Sequence, residues 1–551
     1  MRSFRNLLLV AAILLPAVVA AKDDGKKINV IPYPQSVELG KGQFKAAGAI
    51  FNCETGIDDR SLKAIREFAG SLTFISGRTS TVAVPGGSIR NAVDEGKIKG
   101  FVFLKENSLG PEAYTIEVNS KNCIVKASAL NGFLYAIQTL KQLTDSSIFG
   151  EQVDADQKFI IPCVKISDSP RFAYRGLHLD CSRHFIPMEE VMRVLDIMSL
   201  YKLNRFHWHL TDDQGWRIEI RKYPKLTSVG AFRNGTMIEG DPNNIDGIRH
   251  GGYYTQEQIK EVVEHASSLG IEIIPEIDLP GHMSAAIASY PYLSCHDDAL
   301  EIPMTWGVFN RTLCPGKEAM FTFLEDVFTE VMDLFPSEYY HIGGDECPKT
   351  EWEVCPDCQA RIKELGLKSD SHGTAEQRLQ NYVTARIQKF LGEHGHKIIG
   401  WDEILEGELA PGATVMSWRG TKGGEEASRK GFDVIMTPEQ YCYFNQPQAK
   451  EGEPYATGIL TLDTVYGYNP AEGLDESQQK HLLGVQANMW GEYIQSAEHL
   501  EYMLLPRLCA MSEVQWCDPS AKDEARFLRA LKEESFKIFK NIGYNFRKTD
   551  N

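Results

Sequence analysis

After its first 21 residues, the 551-residue sequence has no apolar run long enough to cross a bilayer. The opening segment, MRSFRNLLLVAAILLPAVVAA, joins two arginines to a short apolar stretch that ends in small residues, as in a secretory signal peptide. A membrane anchor is the alternative, but the run is short and KDDGKK follows it. We therefore expect a signal peptide over 1–21, export to the periplasm, cell surface or medium, and no stable membrane insertion after its removal.

Positive charge is also in short supply. The chain has 58 Lys and Arg against 75 Asp and Glu, which gives a net charge of −17. Such a surface repels phosphate backbones, so nucleic acid is not an expected partner. A neutral substrate fits this charge better.

The sequence lacks the two C-x-x-C pairs that are typical of a zinc site. Most of its 12 cysteines lie in apolar segments and are predicted to be buried thiols, although disulfides are permitted in an exported chain. Cys347, Cys355 and Cys358 form a local cluster that is compatible with a tight disulfide or with half of a zinc site. Because no second C-x-x-C occurs, no metal is predicted, and the disulfide is left open.

The pattern of apolar residues divides the chain into two domains. Residues 28–165 read as short strands with one or two helices, which predicts a non-catalytic α+β domain. From Phe172 strands alternate with helices, so the fold class is α/β, with a (β/α)₈ TIM barrel over 170–518 and a C-terminal helical tail over 519–551. A doubly wound open sheet is the alternative, but no glycine-rich phosphate-binding motif follows the first strand. The eight strand candidates are AYRGLHLDCS, NRFHWHLTDD, IEIIPEID, YYHIGGDE, KIIGWDE, ATVMSWRG, DVIMTPEQYCYF and LLGVQANMWGE.

The predicted strands end in aromatic and charged residues, whereas core packing favours branched aliphatics. In a barrel these ends converge on one face, where catalytic sites are found. Aromatic rings can stack on the C–H face of a sugar, and charged groups can bind its hydroxyls. The strand-end residues are Arg183 and His184; Asp212, Asp213 and Trp216; Asp278 and His282; Asp345 and Glu346; Trp401, Asp402 and Glu403; Trp418 and Arg419; Tyr443 and Asn445; and Trp490 and Glu492.

Two acids, Asp345 and Glu346, stand next to each other in HIGGDE. Glycoside hydrolysis commonly uses two carboxylates, one on each side of the scissile bond, and chain neighbours are poorly placed for that. If both enter one pocket, one reaches the glycosidic oxygen and the other a nearby substituent. This favours substrate-assisted hydrolysis, in which a 2-acetamido oxygen attacks C1. The alternative is that one acid caps a helix or is solvated.

Taken together, seven motifs resemble those of glycoside hydrolase family 20, the β-N-acetylhexosaminidases. They are HIGGDE, SRHF, HWHLTDDQGW, EIDLPGH, GWDE, MSW and MWGE. The resemblance covers most of the chain, and residues 28–165 are similar to the family's N-terminal domain. It implies an exo-acting, retaining enzyme that removes terminal β-linked GlcNAc through an oxazolinium intermediate, without a cofactor. The expected partners are N-acetylhexosamine-terminated glycans or chitooligosaccharides. The natural glycan, action on GalNAc and the oligomeric state stay open.

The resemblance also implies roles for individual residues. Glu346 would be the general acid and then the base, Asp345 would hold the acetamido N–H, and Tyr443 would donate to the acetamido oxygen. Position 445 carries Asp or Asn in the family; asparagine removes a negative charge, so tolerance of sulfated sugars is left open. The implied substrate-binding residues are Trp401, Trp418 and Trp490 around the sugar, Arg183 and Glu492 at its hydroxyls, Asp212 and His282 in a polar network that tunes the pKa of Glu346, and Asn445 at the outer hydroxyls.

Other functions fit part of the pattern. His207 and His209 form an H-x-H pair on the second predicted strand, which a metal-dependent hydrolase could use. They precede the strand end, so a hydrogen-bonded core pair is favoured. A non-catalytic sugar-binding barrel would have no need of Glu346, and a chitinase-like barrel would carry a D-x-x-D-x-D-x-E run, which is missing.

Overall fold

A computed structural model describes residues 27–86, 89–407, 409, 411–450 and 458–549. The predicted signal peptide over 1–21 lies outside this part of the chain. Among the described helices, none combines the length and apolar character that a bilayer crossing requires.

The first domain is a seven-stranded mixed sheet with two long helices packed on it. Buried and more exposed residues alternate along Tyr114–Val118, which is the pattern of a strand with one face in a core. The last strand continues past the predicted boundary at 165 and ends at the buried Asp168. In spatial order the strands are Ser36–Lys45, Ile160–Asp168, Tyr114–Val118, Asn122–Ala127, Gly100–Lys105, Phe51–Cys53 and Val82–Ala83. The helices are Asp59–Ser76, Arg90–Asp94 and Leu130–Leu143, with a 3₁₀ turn at Ser146–Phe149.

The second domain is a closed barrel of eight parallel strands, which confirms the predicted fold class. Pairing of the eighth strand with the first closes the barrel and excludes the open-sheet alternative. Short two-stranded sheets lie in the loop after the second strand. The barrel strands, in order, are Tyr174–Asp180, Arg205–His209, Glu272–Glu276, Tyr339–His341, Lys397–Trp401, Thr414–Ser417, Asp433–Met436 and Leu482–Met489. The longer helices around them are Met188–Leu200, Gln256–Ser268, Glu318–Leu334, Pro356–Leu365, Ala375–Glu393, Lys422–Arg429, Ala497–Leu504 and Arg507–Trp516.

Two segments differ in detail from the sequence prediction. The seventh strand was predicted to run through DVIMTPEQYCYF, but it ends at Met436, and Pro438 starts a one-turn helix, Glu439–Cys442. This turn carries Tyr443 back toward the barrel, where it bridges to Asn488. The predicted tail over 519–551 contains Glu524–Ala530 and Phe536–Ile542, and both helices bury aromatic residues in the barrel core.

A buried ion pair joins the two domains. The Lys202 ammonium of the barrel lies 3.2 Å from Asp168 Oδ2 of the sheet, and both side chains are fully buried. Asp168 also accepts from the Tyr114 hydroxyl at 2.6 Å and from the Trp516 indole N–H at 2.9 Å. A buried charge is tolerated only when it is paired and hydrogen-bonded, so this contact requires both domains.

We expect Lys202→Met to lower the free energy of unfolding by about 3–5 kcal/mol, because it leaves the Asp168 carboxylate buried without its counter-charge. The matched control is Lys165→Met, on an exposed lysine of the same strand as Asp168, which should cost less than about 0.5 kcal/mol. Urea unfolding of both variants checks this. Equal, small losses would show that the pair does not stabilise the domain contact.

Candidate active site

A tight glycine turn places the two adjacent acids at the end of the fourth barrel strand. Gly343 and Gly344 have φ of 64° and 99°, and a Cβ on Gly343 would collide with the carboxylate of Asp278. Glu346 also takes a left-handed φ of 45°, which is strained for a non-glycine residue. The turn separates the two side chains: that of Asp345 is 12% exposed, whereas that of Glu346 is 41% exposed.

His282 connects these acids to a second pair. Its Nε2 lies 3.7 Å from Asp345 Oδ2 and 3.6 Å from Glu346 Oε2. Its Nδ1 lies 3.2 Å from Asp212 Oδ1 and 3.0 Å from Asp213 Oδ2. Burial alone would lower the pKa of His282, but these carboxylates raise it well above its usual value. The imidazole is therefore held as a cation between four acids.

The two acids have opposite pKa shifts. Burial raises the pKa of Asp345 to about 6, even though His282 opposes this. The nearby imidazole of His282, whose Nε2 lies 3.6 Å from Glu346 Oε2, lowers the pKa of Glu346. The sequence predicted that Asp212 and His282 would tune Glu346; the structure shows that in the free protein His282 favours its ionised form.

Arg183 is fixed by two carboxylates. Its guanidinium lies 3.0 Å from Asp180 Oδ2 and 2.9 Å from Asp212 Oδ2, and it sits over the ring of Trp490 at 5.1 Å. Burial alone would lower its pKa, but the two aspartates raise it well above its usual value. Glu492 is near enough for Arg183 to oppose the rise that burial causes in its pKa. Asp180 was not predicted, although it ends the first barrel strand.

Aromatic side chains form a wall beside the acids. Trp418 and Tyr443 stack with ring centroids 6.2 Å apart and planes 15° apart. Trp490 lies 6.1 Å from Tyr443 and 5.7 Å from Trp401. Since these four residues follow four different strands, the fifth to the eighth, closure of the barrel brings them together.

Two further residues that follow barrel strands are Asn445 and Glu403. Asn445 is half-buried two residues after Tyr443, and among the described contacts none joins it to the other predicted residues; its Oδ1 has no partner there. Glu403 was expected at a strand end, but no role at the site was predicted for it. It accepts from the Trp418 indole N–H at 3.0 Å, and burial together with Asp345 raises its pKa to about 8.

Beneath this face, Glu276 lies inside the barrel among imidazoles. Its carboxylate is 2.9 Å from His207 Nε2, 2.5 Å from His209 Nδ1 and 2.9 Å from His341 Nδ1, and it accepts from the Trp401 indole at 3.0 Å. Atoms of this group lie close enough together to hold a metal ion. Because His209 Nδ1 is hydrogen-bonded to this carboxylate and His207 Nδ1 is hydrogen-bonded to the Gln486 amide at 3.1 Å, the geometry supports the predicted hydrogen-bonded core pair at His207 and His209.

Comparison with known families agrees with this geometry. Residues 172–519 match the family model described as glycosyl hydrolase family 20, catalytic domain, and residues 27–169 match domain 2 of the same family. The chain belongs to glycosyl hydrolase family 20. This confirms the family predicted from the motifs, and the two matches meet between the sheet and the barrel.

Similar members of family 20 include proteins from several bacteria. A beta-hexosaminidase of Porphyromonas gingivalis is 40% identical over 511 residues, which is 92% of this chain and 62% of that protein. The exo-β-N-acetylglucosaminidase of Vibrio harveyi, solved with N-acetylglucosamine, has a TM-score of 0.81 and 31% identity over 94% of this chain and 78% of that one. A β-N-acetylhexosaminidase of Streptomyces coelicolor has a TM-score of 0.81 and 27% identity over 95% of this chain and 98% of that one. The chain thus spans less than two thirds of the length of the Porphyromonas relative.

We expect Asp345→Asn to stabilise the free protein more at pH 8 than at pH 5, because the loss of stability caused by the ionised Asp345 is only partial at pH 5. The pKa of this acid is raised on folding, so the folded state holds its proton more tightly, and its contribution to stability falls as pH rises through about 6. The amide has no charge to desolvate, so at pH 8 its melting temperature should exceed that of the parent by several degrees.

Thermal melts at pH 5 and pH 8 test this, with Asp333→Asn, an exposed aspartate, as the control. A lower melting temperature for Asp345→Asn at pH 8 would show that ionised Asp345 stabilises the fold.

Proposed function

We propose that this protein is an exo-acting, retaining β-N-acetylhexosaminidase that removes terminal, non-reducing β-linked GlcNAc by substrate-assisted catalysis. The observation that carries this is a buried acceptor beside an exposed acid. Oδ1 of Asp345 is buried and has no hydrogen-bond partner among the described residues, while Glu346 faces solvent. Buried polar atoms are normally paired, so an unpaired one at a site is suited to a ligand. An acetamido N–H would satisfy it.

In the first step, Glu346 would donate a proton to the glycosidic oxygen while the acetamido oxygen attacks C1. Asp345, by accepting the N–H, would orient that oxygen and balance the positive charge of the oxazolinium ion. The Tyr443 hydroxyl would donate to the acetamido oxygen; burial raises its pKa well above its usual value, so it stays protonated. In the second step, Glu346 would take a proton from water as the water attacks C1, which restores the original configuration.

In this scheme His282 influences whether Glu346 is protonated. In the free site its Nε2 lies 3.6 Å from Glu346 Oε2, which is close enough for the protonation of one group to influence that of the other. A bound sugar would cover the exposed carboxyl and displace its water, and such desolvation raises the pKa of a carboxyl group. Substrate binding would then favour a proton on Glu346, where acid catalysis needs it.

Arg183 and Glu492 would close the pocket at the non-reducing end of the sugar. Asp180 and Asp212 hold the guanidinium in place, so its remaining donors have a fixed direction. The Oε2 of Glu492 has no partner among the described residues and could accept from a sugar hydroxyl. A pocket closed in this way admits only a terminal residue, which is the basis for proposing exo action.

The proposed partners are N-acetylhexosamine-terminated glycans or chitooligosaccharides. The negative net charge and the aromatic wall support a neutral sugar over an anionic polymer. The solved Vibrio harveyi relative holds N-acetylglucosamine, which supports GlcNAc as the first sugar to try. We also propose export from the cell, which rests on the sequence of residues 1–21.

The 2-acetamido group should be required for activity. We expect rapid hydrolysis of an aryl β-GlcNAc and almost none of the matching aryl β-glucoside, because the glucoside has no internal nucleophile. Initial rates on the two substrates with one enzyme preparation measure this. Comparable rates would contradict substrate assistance while leaving glycosidase activity intact.

Glu346→Gln should slow natural disaccharides by about 10²–10⁴-fold, the usual value of general acid catalysis. Aryl substrates with good leaving groups need little protonation, so their first step should slow far less. The matched control is Glu261→Gln, an exposed glutamate on the helix Gln256–Ser268, which should leave both rates unchanged. An equal loss on both substrate classes would remove Glu346 from the role of acid.

A further inference from the structure

Four cysteine thiols gather in one place next to the active-site loops. The Sγ atoms of Cys295, Cys314, Cys355 and Cys358 all lie within 4.8 Å of one another. The last three are buried and Cys295 is partly buried. Cys347, which the sequence grouped with Cys355 and Cys358, is outside this set and points its thiol toward the carbonyl of Pro348 at 3.7 Å.

Three of the six sulfur–sulfur distances are close to those of a tetrahedral zinc site, and the others are within 4.8 Å. Sγ of Cys358 lies 3.5 Å from that of Cys314 and 3.7 Å from that of Cys295, and Cys314 and Cys355 are 3.8 Å apart. Zinc–thiolate bonds of about 2.3 Å in tetrahedral geometry place sulfur atoms about 3.8 Å apart. Disulfide sulfurs would be about 2.05 Å apart. Because Cys358 is shared between two neighbours, the four are arranged as one group and not as two separate pairs.

Backbone N–H groups lie close to the thiols. Cys355 precedes the first residue of the helix Pro356–Leu365, and Cys358 lies in its first turn, where the N–H groups have no partner within the helix. The amide of Gly316 faces the sulfurs of Cys314 and Cys358. A Cβ at Gly316 would collide with the backbone of residues 357–358, so only glycine allows this close approach.

We propose that Cys295, Cys314, Cys355 and Cys358 bind one Zn²⁺ ion as a structural site. Four protein ligands fill a tetrahedral shell and leave no position for substrate, so the ion would serve structure and not the reaction. Arg311 and Lys317, on the same loop as Cys314, are placed to offset the excess negative charge of four thiolates. The ligands come from two loops, those after the third and fourth barrel strands.

This site would clamp the two loops that carry the active-site acids and His282. The amide of Leu313, next to Cys314, donates to the carbonyl of Pro280 at 3.0 Å, two residues before His282. The carbonyl of Leu313 accepts from the Trp352 indole at 3.0 Å, on the segment that follows Glu346. Metal-free protein should therefore be less stable, whichever glycoside it hydrolyses.

The first test uses the full chain purified without a metal-binding tag and without added thiols. Elemental analysis should find about one zinc per chain, and thiol titration in denaturant with a chelator should find all 12 cysteines reactive. Four fewer thiols and no metal would mean two disulfides and would overturn the proposal. Iron in place of zinc would overturn the identity of the metal. Reduced protein that takes up no zinc when supplied would also overturn it.

The second test compares Cys358→Ser with Cys347→Ser. Both change a buried cysteine of the same region, but only the first removes a ligand. We expect zinc content to drop from about one per chain to a small fraction in Cys358→Ser, with a lower melting temperature, and to stay near one in Cys347→Ser. Equal zinc in both variants would place the ion elsewhere. If Cys358→Ser fails to fold, cobalt exchange into the parent decides: thiolate-to-cobalt charge-transfer bands support the site, and their absence overturns it.

Discussion

The arrangement of the active-site face depends on one buried carboxylate, that of Glu276. It lies at the end of the third barrel strand and contacts His207 and His209 on the second strand and His341 on the fourth. Trp401, at the end of the fifth, donates to it as well. A charge buried in this way must be satisfied from all sides, so the strands are held in register by polar contacts where most barrels use aliphatic layers. Trp401 and Asp212 of the candidate site contact this layer directly.

From Glu276 a line of charges leads to the substrate face. His209 contacts both Glu276 and Asp212, and Asp212 contacts Arg183 and His282. His282 in turn faces the two adjacent acids. Positive and negative groups alternate along this line, so each is stabilised by its neighbours. The opposite pKa shifts of Asp345 and Glu346 arise because burial dominates at Asp345, whereas the nearby His282 dominates at Glu346. Removal of any member changes the balance at the others.

Much of this could be predicted from the sequence, because barrel topology converts strand ends into neighbours. From that rule, Arg183, Tyr443 and Trp490 could be predicted to lie close together although they are far apart in the chain. It could not reveal Asp180 as the partner of Arg183, because that depends on a side-chain distance. The direction of the pKa shift at Glu346 likewise depends on how close the His282 imidazole lies to its carboxylate. Cys295 and Cys314 were missed for a similar reason: their approach to the C-x-x-C pair depends on the path of a long loop.

The buried contact between Lys202 and Asp168 bears on how the protein can be divided. Trp516, from the last barrel helix, belongs to the core of the first domain and packs edge-on against Tyr135 at 5.2 Å. A fragment starting at Phe172 would expose this indole and would lack the carboxylate that pairs with the Lys202 ammonium. The border between the two family matches is thus a border in sequence only. Residues 27–169 are part of the scaffold of this barrel, so a shortened or grafted version of the barrel must retain them.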